Sequence, residues 1–362
     1  MNLRRIFRLA AAALAAALIL CGQAAALSAK HAVVMDAATG KVLYEREANE
    51  RCLIASTTKI MTGLIICEEC DLSREISVPP EAAGIEGSSV YLKAGERVCM
   101  ENLLYGMMLQ SGNDAAASLA IAHSGSIEAF AHRMNERAQE LDLHNTHFAN
   151  PHGLDAEENY STAEDLARLA AAAMENDTFA RVVSTRQHRF GERVVTNHNK
   201  LLWRYEGAEG VKTGFTKKAG RILVSSATRQ GRRLICVTIN APDDWNDHAS
   251  LLDEGFSQFE SRILCRKGQI FGVFTAPSGN VSGPAAAEQD LEALLLPEER
   301  VDAVRVHCGS GEGYAEFFTD GRRIGMCPLK DVMTGENDGR THPEDHSLPG
   351  IDVPPEGGGT DP

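Results

Sequence analysis

The chain has 362 residues, of which 43% are hydrophobic and 24% charged, and its formal net charge is −14. This length can bury the core of one large domain and one small domain, and the composition is typical of a soluble globular protein. The negative charge argues against nucleic acid and against an anionic membrane surface as partners.

The first 26 residues have the features of an export signal. Three arginines precede an Ala/Leu-rich segment from Leu9 to Leu20, and small residues follow at positions 24–26. This order of basic, apolar and small residues predicts a cleaved secretory signal. Two alternatives stay open, an uncut N-terminal anchor over residues 9–27 and a twin-arginine signal.

In chain order, the sequence first predicts a β-hairpin at 32–47 and a buried helix beginning at the Ser56 motif. A helix over Met100–Met108 follows, and then several helices between 115 and 169 with a polar loop at 147–159. A glycine-framed loop at 209–216 precedes two antiparallel strands, Ile222–Ala227 and Leu234–Ile239. Strand pairs at both ends with helices between them predict a mixed α/β layer fold.

The sequence after about residue 262 changes to short strand-like segments separated by Gly and Pro turns. This pattern predicts a small β-rich domain over residues 262–332, after a main domain over residues 27–261. Residues 333–362 are rich in Gly, Pro and acidic side chains, so we expect a disordered tail. The export signal at residues 1–26 is the remaining segment of this predicted domain organisation.

Cysteine and histidine usage gives no sign of a metal or cofactor. Eight cysteines follow residue 26, at irregular spacing and far below the density of a disulfide scaffold. Cys67 and Cys70 form a single Cys-x-x-Cys pair, without a second pair or a flanking set of histidines. We therefore predict small core residues rather than ligands, and neither a metal nor a cofactor.

Three short motifs carry the candidate chemistry: Ser56-x-x-Lys59, Ser111-Gly112-Asn113 and Lys212-Thr213-Gly214. Positions i and i+3 share one face of a helix, so Lys59 can reach the Ser56 oxygen. Burial disfavours the charged form of a lysine, and a neutral amine can accept the proton of a nucleophilic serine. Taken singly, each motif could be a helix cap, a surface lysine or a plain turn.

Together the motifs resemble those of the low-molecular-mass penicillin-binding proteins, the serine D-alanyl-D-alanine carboxypeptidases. The resemblance covers roughly residues 30–330 and includes five longer blocks, at residues 55–62, 111–116, 150–155, 160–167 and 210–216. It implies a transpeptidase/β-lactamase-like α/β fold, in which an antiparallel sheet flanked by helices and a helical subdomain precede a small β-rich domain.

The resemblance also implies catalytic roles. Ser56 would attack the carbonyl of the penultimate D-alanine, and Lys59 would take the serine proton. Ser111 would relay a proton to the departing D-alanine. Asn113 would hold Lys59 and bind the substrate backbone.

The third motif is implied to bind the substrate. Lys212 would lie across the cleft, Thr213 would bind the terminal carboxylate, and Gly214 belongs to the same substrate-binding strand. The backbone N–H groups of Ser56 and Phe215 would form the oxyanion hole. Arg233 would help to hold the carboxylate.

The implied substrates are peptidoglycan stem peptides, with β-lactam antibiotics as covalent inhibitors. A class A β-lactamase is disfavoured because the chain lacks the Leu-Asn of its deacylation loop. A DD-endopeptidase and a β-lactam sensor without turnover remain alternatives. Many relatives end in an amphipathic membrane helix, whereas residues 333–362 have no apolar stripe. We therefore expect an exported or wall-associated enzyme that contacts a membrane only if its N-terminal segment is retained.

Overall fold

The computed structural model describes residues 27–275, 281–309 and 313–332. The predicted export signal and the predicted disordered tail lie outside these residues. Within them, no helix is long and apolar enough to cross a membrane.

The helices are α1 (Lys59–Glu69), α2 (Met100–Leu109), α3 (Asn113–Ser124), α4 (Ile127–Glu140), α5 (Ala163–Met174), α6 (Asp177–Ser184), α7 (Leu201–Arg204) and α8 (Asp244–Ser257). The strands before residue 240 are β1 (His31–Asp36), β2 (Val42–Arg46), β3 (Cys52–Leu53), β4 (Glu75–Ser77), β5 (Arg97–Cys99), β6 (Tyr160–Ser161), β7 (Gln187–Phe190), β8 (Arg193–Thr196), β9 (Ala208–Thr216), β10 (Gly220–Arg229) and β11 (Arg232–Ile239). The later strands are β12 (Glu260–Cys265), β13 (Ile270–Thr275), β14 (Val281–Ala287), β15 (Leu291–Leu295), β16 (Ala303–Cys308), β17 (Gly313–Thr319) and β18 (Arg322–Asp331).

The main domain is built on a five-stranded antiparallel sheet in the order β2-β1-β11-β10-β9. Helices α5 and α6 pack on one face of this sheet, and α8 packs on the other. Strand β1 is buried along its whole length because both faces of the sheet are covered there. The mixed α/β layer fold, the first hairpin and the antiparallel pair β10–β11 are confirmed.

Helix α1 is the central element of the helical layer. It contacts all five helices from α2 to α6, and its first eight residues are buried. A helix that is buried all round needs apolar residues on every face, which explains the continuous run Ile60-Met61 and Leu64-Ile65-Ile66. Three of its partners, α4, α5 and α6, begin at side-chain N-caps. At the start of α4, for example, Ser126 accepts from Ala129 N.

The sequence prediction is wrong at one point of the main sheet. Residues 209–216 were expected to form a glycine-framed loop, but they lie within strand β9 at the sheet edge. Pairing with β10 fixes this segment in register, from Thr216 opposite Gly220 to Ala208 opposite Ala227. An edge strand has only one neighbour, so glycine is tolerated there and the hydrophobic alternation that signals a strand is weak.

The C-terminal region contains a five-stranded sheet, β13-β14-β18-β17-β16, and a separate pair, β12–β15. The sequence predicts short strands at 270–274, 303–307, 315–318 and 323–326, and these correspond to β13, β16, β17 and β18, so the β-rich prediction is confirmed. Phe274, Phe317 and Leu329 belong to its separate hydrophobic cluster.

A buried ion network connects the two regions. Arg232 on β11 contacts Asp36 at 2.6 Å and Glu299 at 3.1 Å, and its side chain is only 3% exposed. Arg322 also contacts Glu299, at 2.7 Å. The Asp36 contact lies within the main sheet and the Arg322 contact lies within the C-terminal region. The Arg232–Glu299 contact joins the two, so this network helps to fix how the regions meet.

We predict that Arg232→Met lowers the free energy of unfolding by about 3–5 kcal/mol, because it leaves two buried carboxylates without their main partner. Arg97→Met is the control, since Arg97 and its partner Glu75 are 68% and 55% exposed and such a pair contributes less than about 1 kcal/mol. Urea unfolding of both variants measures the difference. Equal losses would contradict the proposed importance of the network.

Candidate active site

The Ser56 hydroxyl lies on a 3₁₀ turn, Ala55–Thr58, that leads directly into α1. The serine therefore precedes the α-helix, whereas the sequence placed it within the helix. Ala55 has a φ of 44°, a left-handed conformation that is uncommon for a residue with a side chain. Such strain persists only where the surrounding structure holds it, and it is concentrated at functional sites.

The Lys59 amine lies at the centre of the site and is completely buried. Its Nζ is 3.0 Å from Ser56 Oγ and 2.7 Å from Asn113 Oδ1, and it also contacts the backbone carbonyl of His152. These three contacts join α1, the start of α3 and the loop that follows α4. The structure thus brings the first two motifs together around one nitrogen.

Burial lowers the pKa of Lys59 well below its usual value, and the nearby charge of Lys212 lowers this pKa further. The buried carboxylate of Asp114 acts in the opposite direction. Burial also lowers the pKa of Lys212, to about 7. Of the two amines, Lys59 is the one on which both burial and a neighbouring cation lower the pKa, and both effects favour its neutral form.

A neutral amine at Lys59 has two N–H donors and one lone pair. The amide oxygen of Asn113 and the carbonyl of His152 can only accept, so they take the two donors. The lone pair is then left for the third neighbour, Ser56 Oγ. This is the arrangement of a general base next to its nucleophile.

Among the residues that the structure describes, the Ser111 hydroxyl oxygen is the only buried side-chain oxygen or nitrogen without a hydrogen-bond partner. Its backbone is left-handed, with a φ of 63°. An unpaired buried hydroxyl costs about 1–3 kcal/mol, so its presence calls for an explanation. A substrate group that donates to or accepts from this oxygen would supply the missing bond.

Asp114, which the sequence reasoning did not single out, holds the loop beside Asn113. Its buried carboxylate accepts from Val90 N, Leu92 N and the Ser89 hydroxyl. Asn113 N itself donates to the carbonyl of Ser88 at 2.7 Å. The segment after Gly87 is thereby fixed against the second motif, and its signal in the sequence was the acidic residue directly after Ser-Gly-Asn.

The loop at residues 150–154 packs against the turn Ala55–Thr58, which we call the nucleophile turn because it carries the predicted nucleophile Ser56. A Cβ on Gly153, whose φ is 85°, would lie 1.9 Å from the carbonyl oxygen of Ala55, so only glycine fits. Burial and Lys59 lower the pKa of His152 to about 4. Its ring is therefore neutral at pH 7, and its carbonyl, rather than its imidazole, is what contacts Lys59.

Strand β9 brings the third motif to the same place. A Cβ on Gly214 would lie 3.3 Å from Ser56 N, so the strand approaches the nucleophile turn more closely than most side chains allow. Lys212, on this strand, is buried and donates to the carbonyl of Thr213 at 2.9 Å. Phe215 is 65% exposed.

Arg233 is the predicted site residue that the structure does not bring to this cleft. It lies on β11 opposite Thr228 and donates to Glu209 and to the carbonyl of Met174. In the sheet register, Val237 is the β11 residue level with Lys212, so Arg233 is four residues, or roughly 13 Å, away along the strand. The structure therefore places Arg233 apart from Lys212 and engages it with Glu209 and the Met174 carbonyl, and its role as a carboxylate clamp stays a prediction.

No group of three or more His, Cys, Asp or Glu side chains in the described part of the chain is placed to hold a metal ion. A cavity of about 900 Å³ lies away from the motifs, near the turn between β10 and β11 and the end of α8. Its lining residue Arg229 is already engaged by Asp253 and Tyr205. The arrangement around Lys59 is therefore the candidate active site.

Comparison with known proteins decides the family. A sequence profile described as D-alanyl-D-alanine carboxypeptidase matches residues 20–243. The chain belongs to the D-alanyl-D-alanine carboxypeptidase family. It is 38% identical over 316 residues to the D-alanyl-D-alanine carboxypeptidase DacF of Bacillus subtilis, covering 83% of this chain and 81% of that protein. It is 36% identical to DacA of Escherichia coli, covering 84% and 82%.

Solved structures agree with this assignment. The Streptomyces K15 DD-transpeptidase matches with a TM-score of 0.62 and 33% identity, over 64% of this chain and 98% of its own. Penicillin-binding protein 5 from Haemophilus influenzae matches with a TM-score of 0.63 and 26% identity, over 84% and 96%. The predicted transpeptidase-like fold with a β-rich C-terminal domain is confirmed. The chain is a serine-type D-Ala-D-Ala carboxypeptidase.

We predict that acylation of the carboxypeptidase by penicillin has a maximum with pH. The reactive form of Lys59 is neutral, so the rate rises as pH increases through the lowered pKa of Lys59. Lys212 acts as a cation, so the rate falls as pH increases through its pKa of about 7. Lys212→Arg keeps its charge and should remove the alkaline limb. An unchanged alkaline limb in this folded variant would contradict the assignment.

We predict that Gly214→Ala lowers the acylation rate by about 10-fold or more, because the added methyl group pushes β9 away from Ser56 N and weakens an oxyanion donor. Gly272→Ala is the control, since the closest contact of its added Cβ is an ordinary 3.7 Å. Stopped-flow acylation and thermal unfolding would separate the two effects. A normal rate in Gly214→Ala would show that the close approach is not needed.

Proposed function

We propose that Ser56, Lys59 and Ser111 catalyse removal of the terminal D-alanine from peptidoglycan stem peptides. The observation that carries this proposal is the contact of Lys59 Nζ with Ser56 Oγ at 3.0 Å, made by an amine whose two N–H groups are already directed at carbonyl oxygens. An amine in this position has its lone pair directed at the hydroxyl that must lose a proton.

In the acylation step, Ser56 Oγ bonds to the carbonyl carbon of the penultimate D-alanine while its proton moves to Lys59 Nζ. The developing oxyanion is stabilised by the backbone N–H groups of Ser56 and Phe215. Collapse of this intermediate breaks the C–N bond, and the proton reaches the departing amine from Lys59 through the Ser111 hydroxyl. D-alanine leaves, and an ester on Ser56 remains.

In the deacylation step, water attacks the ester and gives its proton to the neutral Lys59. The proton returns to Ser56 Oγ as the ester bond breaks, which regenerates the enzyme. A β-lactam follows the first step only, because its leaving amine stays tethered to the acyl group. This accounts for covalent inhibition by penicillin.

The residues that line the same cleft would bind the substrate. The Thr213 hydroxyl and the Lys212 charge would bind the terminal carboxylate. Gly214 would let the substrate strand and the nucleophile turn approach each other, and Asn113 would bind the substrate backbone through its amide. Arg233 is no part of this proposal. Arg221, which pairs with Asp244 at 2.8 Å, lies opposite Phe215 and is the nearer guanidinium in the sheet register.

The proposal extends to location and domain limits. Export through the segment at residues 1–26 would place the enzyme next to its wall substrate, and membrane contact would require that this segment be retained. We keep the division into a catalytic domain at 27–261, a β-rich domain at 262–332 and an acidic tail at 333–362. A DD-endopeptidase acting on cross-links and a non-turnover sensor are the alternatives.

We predict that Ser56→Ala and Lys59→Met each lower D-alanine release from a peptide ending in D-Ala-D-Ala by at least about 10³-fold, because one loses the nucleophile and the other loses the base. Lys267→Ala, at an exposed position of the C-terminal region, is the control and should be unaffected. Release of D-alanine is measured together with labelling by a fluorescent penicillin.

The same assay distinguishes the alternatives. Stable penicillin labelling without release from the monomeric peptide would contradict the carboxypeptidase assignment. If a cross-linked dimeric peptide were then cleaved, an endopeptidase would be indicated, and if it were not, a sensor. Normal labelling of Lys59→Met would overturn the role of Lys59 as the base.

A further inference from the structure

Two buried cysteines meet in the core of the C-terminal region. Cys265 ends β12 and is 2% exposed, and Cys327 lies in β18 and is completely buried. Their sulfur atoms are directed at one backbone carbonyl, that of Gln289, with Sγ···O distances of 4.0 and 3.5 Å. Two thiols that share one acceptor occupy the same small volume.

The backbone around this pair is closely packed. Cys265 lies opposite Leu291 in the β12–β15 pair. A Cβ on Gly325, two residues before Cys327, would lie 2.9 Å from the side chains of both Leu264 and Leu291. The glycine therefore lets β18 approach β12 and β15 closely at the level of the two cysteines. Burial raises the pKa of Cys265 to about 12, with the Cys327 thiol as the next cause, which agrees with two neighbouring thiols.

We propose that Cys265 and Cys327 form a disulfide in the exported enzyme. The proposal rests on export, because disulfides persist in oxidising compartments. In the reaction the two Sγ atoms form one S–S bond. The two electrons and two protons pass to the disulfide of an extracytoplasmic thiol–disulfide oxidoreductase, which becomes a dithiol. The exchange takes place while the domain folds, since the folded core covers both sulfurs.

The bond would link the first strand of the β-rich region to the last one. It closes a loop of roughly 60 residues, and a loop of this length gives a large reduction in the entropy of the unfolded chain. The region it encloses is short, and small domains bury too little apolar surface to be very stable without such links. Among the cysteines that the structure describes, the third buried one, Cys236, belongs to the main-domain core.

Peptide mapping of the exported protein tests the proposal directly. Thiols are blocked during unfolding, and the protein is digested with trypsin without reduction. Cys265 lies in the tryptic peptide Ile263–Arg266 and Cys327 in Ile324–Lys330. We expect these two peptides to be found joined. Recovery of both as separately alkylated peptides would overturn the proposal, as would a bond from either cysteine to Cys67, Cys70 or another cysteine.

Full-length chain refolded in a glutathione redox buffer should give the same linked pair. The refolding experiment does not depend on export, and the linked peptides that it detects do not depend on catalysis. If the refolded chain carries the bond but shows no D-alanine release, the function proposed above fails while the disulfide stands. Absence of the bond in refolded, penicillin-binding protein would overturn the disulfide alone.

The effect of a reductant on stability distinguishes a Cys265–Cys327 disulfide from two thiols that only pack against each other. We expect dithiothreitol to lower the unfolding midpoint of the oxidised enzyme by roughly 5 °C or more. The double variant Cys265→Ala/Cys327→Ala should show no such response, whereas Cys236→Ala should retain it. D-alanine release below the midpoint should be unchanged by the reductant. Equal responses in the two variants would contradict the assignment of the bond.

Discussion

The active site depends on a lysine amine that is buried without a carboxylate in contact with it. Lys59 is removed from solvent, and its three neighbours are a hydroxyl, an amide oxygen and a backbone carbonyl. The cost of burying an unpaired charge favours the neutral amine. A neutral amine is what the proposed role of Lys59 as a base requires, so the packing that excludes water around α1 also supports the proposed chemistry.

Backbone geometry, more than side-chain packing, gives the site its shape. Gly153 and Gly214 both lie against the nucleophile turn, where a Cβ would meet Ala55 O at 1.9 Å and Ser56 N at 3.3 Å. Ala55 and Ser111 adopt left-handed conformations at the two serine motifs. Strained residues of this kind are maintained only by a rigid surrounding, which here consists of α1, β9 and the loop held by Asp114.

The main domain and the C-terminal region are stabilised by different interactions. The main domain buries one large core between the sheet and the helices around α1. The C-terminal region has a small separate cluster and is attached through the buried network of Arg232 and Glu299. A small region that depends on a few strong contacts is where a covalent link contributes most.

The sequence by itself determined the three motifs, the family and the local elements, because hydrophobic periodicity and short-range spacing are properties of the chain alone. Tertiary structure decided the rest. Whether Arg233 reaches the substrate depends on strand register, which shifts it by roughly 13 Å from Lys212. The contact of Lys59 with the His152 carbonyl joins residues 93 positions apart. A backbone carbonyl is present at every residue, so no residue type signals it, and only folding selects which one the amine meets.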